Sequence, residues 1–111
     1  TTINSSTIDW RSGNKNHILK GTFKKHVPGW KKFGIDPNNS NNHNWTLLLP
    51  ILQEVVDKAD DCVTTVFADG SKTIEFIKTY VDLGVKVVVK IWVLADGYRQ
   101  VIADAIPYLI D

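Results

Sequence analysis

Val85-Lys86-Val87-Val88-Val89-Lys90-Ile91-Trp92-Val93-Leu94 is the stretch that decides the fold. β-Branched residues dominate it, and Lys86, Lys90 and Trp92 all fall on one parity, as the two-residue period of an extended strand requires. Val85, Val87, Val89, Ile91 and Val93 fall on one face, which must meet a core. Lys86, Val88, Lys90 and Trp92 fall on the other. Asp82-Leu83-Gly84 before it and Asp96-Gly97 after it are turn sequences. They predict strand neighbours at Thr73–Val81 and Tyr98–Ala105, the latter stopped by Pro107. Asp69-Gly70 closes a further strand, Cys62–Phe67. Connections this short join antiparallel neighbours, so residues 61–107 form a four-stranded meander.

Upstream the period lengthens. Trp45, Leu48, Leu49, Leu52, Val55, Val56 and Ala59 follow helical spacing and make one wide apolar stripe. The stripe predicts a helix from Asn44 or Thr46 to about Asp60, with His43 as a candidate cap and Pro50 in its first turns. Residues 36–42 form a surface loop by composition. A short helix over Asn14–Phe23, capped by Asn14 or Asn16, ends at a turn over Val27-Pro28-Gly29. Trp30–Phe33 makes one more helical turn, closed by Gly34. Residues 1–13 read as a loose lead-in, held by Ile3, Ile8 and Trp10 alone. The expected architecture is α+β: one domain with helices over 14–60 packed on the sheet of 61–107.

The 111 residues suffice for one core and are too few for two. No apolar run reaches the length of a membrane-spanning helix, and no signal-peptide pattern is present. A start at Thr1 suggests a piece of something longer. Cys62 has no partner for a disulfide and reads as a buried, inert thiol.

Charge is divided along the chain. Residues 1–34 carry seven basic side chains against Asp9 alone, a net +6; residues 35–111 carry six basic and eleven acidic, a net −5. The basic half implies an anionic partner. The acidic remainder excludes a protein that coats nucleic acid non-specifically, since counterion release needs many basic contacts. A local phosphate site fits the division.

His17–Trp30 is the candidate site. It holds His17, Lys20, Lys24, Lys25, His26 and Trp30. The three histidines have no metal-ligand spacing, so no metal or other cofactor is expected. A Gly-x-Ser-x-Gly elbow, a Walker loop and a dinucleotide fingerprint are all absent. Metal-free RNA cleavage needs only a base for the 2′-hydroxyl proton, an acid for the departing 5′-oxygen and a cation for the phosphate. Histidine suits either proton role, and Lys20, Lys24 or Arg99 suits the third. In this scheme the segment closes as a lid over the outer sheet face, with Lys86 and Lys90 as floor and Trp92 for stacking. The plainer alternative makes that face a solvated sheet surface and the histidines incidental.

His17-Ile18-Leu19-Lys20-Gly21 followed by His26 resembles the paired-histidine segment of bacterial polymorphic toxin domains with RNase activity. Lys31-Lys32-Phe33-Gly34-Ile35 is similar to a stretch of colicin-type tRNA nucleases. Asp96-Gly97-Tyr98 with Val101 through Pro107 resembles the last strand of the same group, the barnase/EndoU/colicin/RelE (BECR) fold. The resemblance spans most of residues 15–107 on short motifs. It implies a metal-independent ribonuclease toxin of contact-dependent growth inhibition or a similar system. Such a domain is delivered from the cell surface as part of a larger effector and acts in the target-cell cytoplasm. It cleaves RNA, often tRNA, sometimes with a host translation factor, and is neutralised by a cognate immunity protein. Many relatives carry Thr or Ser where Asp104 stands, which leaves Asp104 an acid/base or orienting group or puts the site elsewhere. Tyr98 shares a strand face with Asp104 by alternation, while Arg99 takes the opposite face. His17, Lys20, His26, Tyr98 and Asp104 are thus the expected catalytic set. Lys24, Lys25, Trp30, Lys86, Lys90, Trp92 and Arg99 are the expected substrate contacts. A non-enzymatic immunity or adaptor domain, binding through the acidic part, is the competing expectation, and a metal-dependent DNase a third.

Overall fold

The computed structural model describes residues 3–11 and 13–110; the parts of the lead-in at Thr1, Thr2 and Ser12 lie outside the described residues. Three α-helices precede four strands: α1 (Lys15–Lys20), α2 (Val27–Lys31), α3 (Asn41–Asp57), β1 (Asp61–Val66), β2 (Lys72–Tyr80), β3 (Val85–Val93) and β4 (Gln100–Leu109). The sheet is an antiparallel meander in the order β1-β2-β3-β4. The helices pack on one face of it, so the α+β architecture read from the periodicity stands. Among the described residues no helix is long and apolar enough to cross a membrane.

The faces of β3 are as the alternation predicts. Val85, Val87, Val89 and Ile91 are fully buried beneath α3, where they meet Leu48, Leu52 and Val55. Each such side chain contributes about 1.5–3 kcal/mol. On the opposite face Val88 is also buried, flanked in register by Ile77 and Ile106.

Several boundaries differ, each for a local reason. The Ser40 side chain accepts from the His43 N–H, so α3 starts at Asn41; His43 donates to the cap instead of being one. Pro50 therefore sits in the helix interior, exposed to solvent, with no N–H for the Thr46 carbonyl. Val27-Pro28-Gly29 opens α2 instead of forming a turn, because proline is tolerated in a first helical turn. β4 begins at Gln100 and runs through Pro107 to Leu109. It is an edge strand, where a missing N–H does not interrupt a ladder on both sides. Cys62 is exposed and not buried, because β1 is the other edge and all six of its residues are exposed.

The lead-in is docked. Ile8 and Trp10 are buried, and the Ser5 N–H and hydroxyl both bond the Asp57 carboxylate. Asp9 makes a parallel bridge to β4, donating to the Gln100 carbonyl and accepting from the Ile102 N–H. It covers the start of the β4 edge.

Candidate active site

A β-bulge opens β4 at its midpoint. Ile102 stands opposite Ile91 and Asp104 opposite Lys90, leaving Ala103 with no partner. The Asp104 Oδ1 accepts from the Ala105 N–H at 2.8 Å, which fixes the carboxylate at the rim of the sheet. His17 reaches the same rim from α1, with Nε2 3.5 Å from Asp104 Oδ2.

His26 completes the cluster. Its ring lies 5.6 Å from that of His17 in an edge-to-face arrangement. The ring is buried, and Nδ1 lies 2.9 Å from the Ile18 carbonyl oxygen. A carbonyl can only accept, so Nδ1 carries a hydrogen, and in the neutral ring Nε2 holds the lone pair. The same carbonyl accepts the Trp30 indole N–H at 2.7 Å. Gly21 makes room for the ring: a Cβ there would stand 2.4 Å from His26 Cδ2 and 2.8 Å from Nε2. Gly21 also has φ 72° and ψ 177°, a conformation essentially confined to glycine.

His26 opens onto a groove of about 480 Å³ lined by Lys25, Pro28, Ile106, Pro107, Tyr108 and Leu109. Tyr108 forms its outer wall, and Lys86 Nζ sits 5.5 Å from the Tyr108 ring centroid. A second hollow, of about 290 Å³, is lined by Lys20, Lys24, Val27, Pro37 and Asn38. Lys25 therefore shares a groove with His26, and Lys20 does not.

The other expected site residues divide. Trp30 is 1% exposed and belongs to the core, so it has no face free for stacking. Tyr98, at 88% exposed, lies in the turn before β4 and not on the strand with Asp104. Six residues at about 3.3 Å each put it on the order of 20 Å along the chain from Asp104. Arg99 is engaged locally: its Nε and N–H, with the Tyr98 N–H, all bond Asp96. Those bonds hold the Asp96 carboxyl down to about 2.

The lid over the outer face is not formed. Ile18, Leu19 and Trp30 turn the His17–Trp30 segment into the core on the helix side. The histidines meet the sheet at the edge of β4. Lys90 stands in register between Glu75 and Asp104, so two carboxylates flank it and the floor is not a uniform cationic surface. Trp92, 43% exposed, lies on that face between Thr73 and Val101, with no helix above it. Tyr108 and Gly21 were not among the expected residues. Tyr108 was hidden by reading Pro107 as a stop, and Gly21 has meaning only once the His26 ring is placed.

Among the described residues no group of three His, Cys, Asp or Glu side chains is placed to hold a metal ion. Comparison with protein-family models, curated proteins and solved structures gives no match.

Proposed function

We propose that the domain is a metal-independent endoribonuclease whose centre is the His17–His26–Asp104 cluster at the β4 edge. The carrying observation is the convergence of two imidazoles and a carboxylate beside a lysine-bearing groove. His26 Nε2 acts as base and takes the proton from a ribose 2′-hydroxyl, whose oxygen attacks phosphorus. The bond from phosphorus to the 5′-oxygen breaks, and His17 delivers a proton to that oxygen. The products are a 2′,3′-cyclic phosphate and a 5′-hydroxyl. Asp104 orients His17 and steadies its protonated form. Lys25 steadies the charge growing on the phosphate, a role the sequence had suggested for Lys20.

In this reading the domain is a BECR-like toxin module. It is delivered into a competing bacterium as part of a larger effector, acts on RNA (tRNA first among candidates) and is held in check by a cognate immunity protein. The test is incubation of the purified domain with total tRNA in EDTA. Discrete fragments are expected from the wild type. His17→Ala and His26→Ala are expected to give none while keeping the wild-type circular-dichroism spectrum. Absence of wild-type fragments, with no growth arrest on cytosolic expression, would favour a protein-binding module. Fragments seen only without EDTA would favour a metal-dependent RNase, and EDTA-sensitive cleavage of DNA in place of tRNA would favour the DNase reading.

A further inference from the structure

Between α1 and α2 the chain turns through an elbow at Gly21–His26, closed by the His26 N–H on the Lys20 carbonyl and the Lys25 N–H on the Thr22 carbonyl. Phe23 is at its apex. Phe23 (φ 55°, ψ 33°) and Lys24 (φ 59°) are consecutive non-glycine residues in the left-handed region, a conformation that L side chains disfavour. The ring they present is 91% exposed. The backbone conformation costs stability, and the exposed ring contributes no burial to offset it.

The surroundings of the ring point to its ligand. Lys24 lines the hollow shared with Lys20, Pro37 and Asn38, and Lys25 lines the groove shared with His26 and Tyr108. The elbow is thus a ridge between two lysine-bearing depressions, with the aromatic ring on its crest. Along the chain no carboxylate occurs between Asp9 and Asp36, and the Asp104 carboxylate that comes near in space is engaged by His17. The core of a protein interface is depleted of charge. Here the ring is flanked by Lys24 and Lys25, and the groove beside it adds the half-exposed Tyr108 ring. One aromatic face flanked by cations is what a strand of nucleotides requires: a π surface for a base and positive charge for the phosphates on either side.

We propose that Phe23 is a base-stacking residue for single-stranded nucleic acid. Lys20 and Lys24 hold the phosphate on one side of the stacked base, and Lys25 holds the phosphate on the other, at the entrance to the His26 groove. The inference shares its RNA ligand with the ribonuclease reading but does not rest on the cleavage chemistry.

The experiment uses a short fluorescent 2′-O-methyl oligoribonucleotide, which lacks the hydroxyl needed for cleavage, titrated with the intact domain and followed by anisotropy. The wild type is expected to bind, Phe23→Ala to bind about tenfold more weakly and Phe23→Trp to bind at least as well as the wild type. An oligonucleotide with abasic positions is expected to erase the difference between wild type and Phe23→Ala. Lys24→Ala is expected to reduce the slope of log affinity against log salt by about one phosphate contact. Equal affinity of wild type and Phe23→Ala would overturn the proposal, as would no binding by the wild type. Phe23→Leu matching Phe23→Trp would do so too, since an aliphatic residue supplies apolar contact without stacking. Binding through Phe23 without cleavage of ordinary RNA would keep this site and remove the catalytic reading; cleavage unaffected by Phe23→Ala, with equal affinities, would do the reverse.

Discussion

Gly21→Ala tests the link between backbone conformation and the candidate base. Two costs follow from the structure. At φ 72° and ψ 177° an alanine occupies a region essentially reserved for glycine, at about 1–3 kcal/mol. The new Cβ would also lie 2.4 Å from His26 Cδ2 and 2.6 Å from Cγ, against the ~3.5–4 Å of ordinary carbon contact. The ring must retreat by about 1 Å or more, which breaks the Nδ1–H bond to the Ile18 carbonyl at a cost of about 1 kcal/mol. The sum is about 3 kcal/mol, or about 12 °C in melting temperature for a domain of this size. Gly84→Ala is the control. Gly84 has φ 68° and ψ 36°, and its Cβ would meet nothing closer than the Ile110 carbonyl at 3.5 Å. It loses about 1–2 kcal/mol from backbone strain alone. Thermal melts and tRNA-cleavage rates of both variants, the latter measured well below either melting temperature, separate the terms. Gly21→Ala is expected to be the less stable and to lose cleavage; Gly84→Ala is expected to keep it. Equal melts together with equal cleavage would refute the argument that Gly21 exists to seat the His26 ring.

Pro50→Ala is expected to stabilise the domain by about 2 kcal/mol, because an exposed proline in a helix interior costs about 3 kcal/mol and its stiffening of the unfolded chain returns up to about 1; a lower melting temperature would contradict this. Trp30→Phe removes the indole donor to the Ile18 carbonyl and is expected to cost about 1–3 kcal/mol in urea unfolding while leaving oligonucleotide affinity unchanged, whereas a loss of affinity would restore Trp30 as a contact. In 15N-detected NMR of the neutral state, His26 is expected as the Nδ1–H tautomer, and the Nε2–H form would remove Nε2 as base. Acid unfolding supplies a further check. Asp57 is lowered chiefly by the Ser5 hydroxyl and then its N–H, and Asp96 is lowered to about 2 by the N–H groups of Tyr98 and Arg99. Carboxyls held lower in the folded state contribute stability that is complete above the unfolded value near 3.9 and disappears as pH falls through the folded value. The urea midpoint is expected to change little with these groups above about pH 5 and to fall between about 4 and 2; Ser5→Ala is expected to shrink that fall.

The sheet was legible because one strand stated its two faces residue by residue, and turn dipeptides bounded it. The apolar stripe of α3 was equally plain, but its start was not. The Ser40 cap lies in an asparagine-rich run where any of several residues could serve. Pro107 misled because a proline stops a central strand and is tolerated in an edge strand, and edge position is a property of the assembled sheet. For the site, the density of His and Lys in residues 17–30 marked the segment whose two histidines the fold brings to the β4 edge. Its placement over the outer face neglected Ile18, Leu19 and Trp30, whose burial commits the segment to the helix side. Tyr98 was assigned to the Asp104 face by strict alternation. The strand starts later, and the bulge at Ala103 breaks the alternation before Asp104 is reached. Nothing in a linear pattern marks such a bulge.

The contact between His17 and Asp104 joins residues separated by nearly the whole chain. Both histidines are present in the first quarter of the sequence, yet the carboxylate rim and the Tyr108 wall arrive only with the final strand. Contacts this remote form late, after the entropy of closing the intervening loop has been met. An unfolded or half-made chain therefore contains the chemical groups but not the centre. Under the proposed reading, the molecule is inert until α1 and β4 meet, and its activity reports that long-range contact.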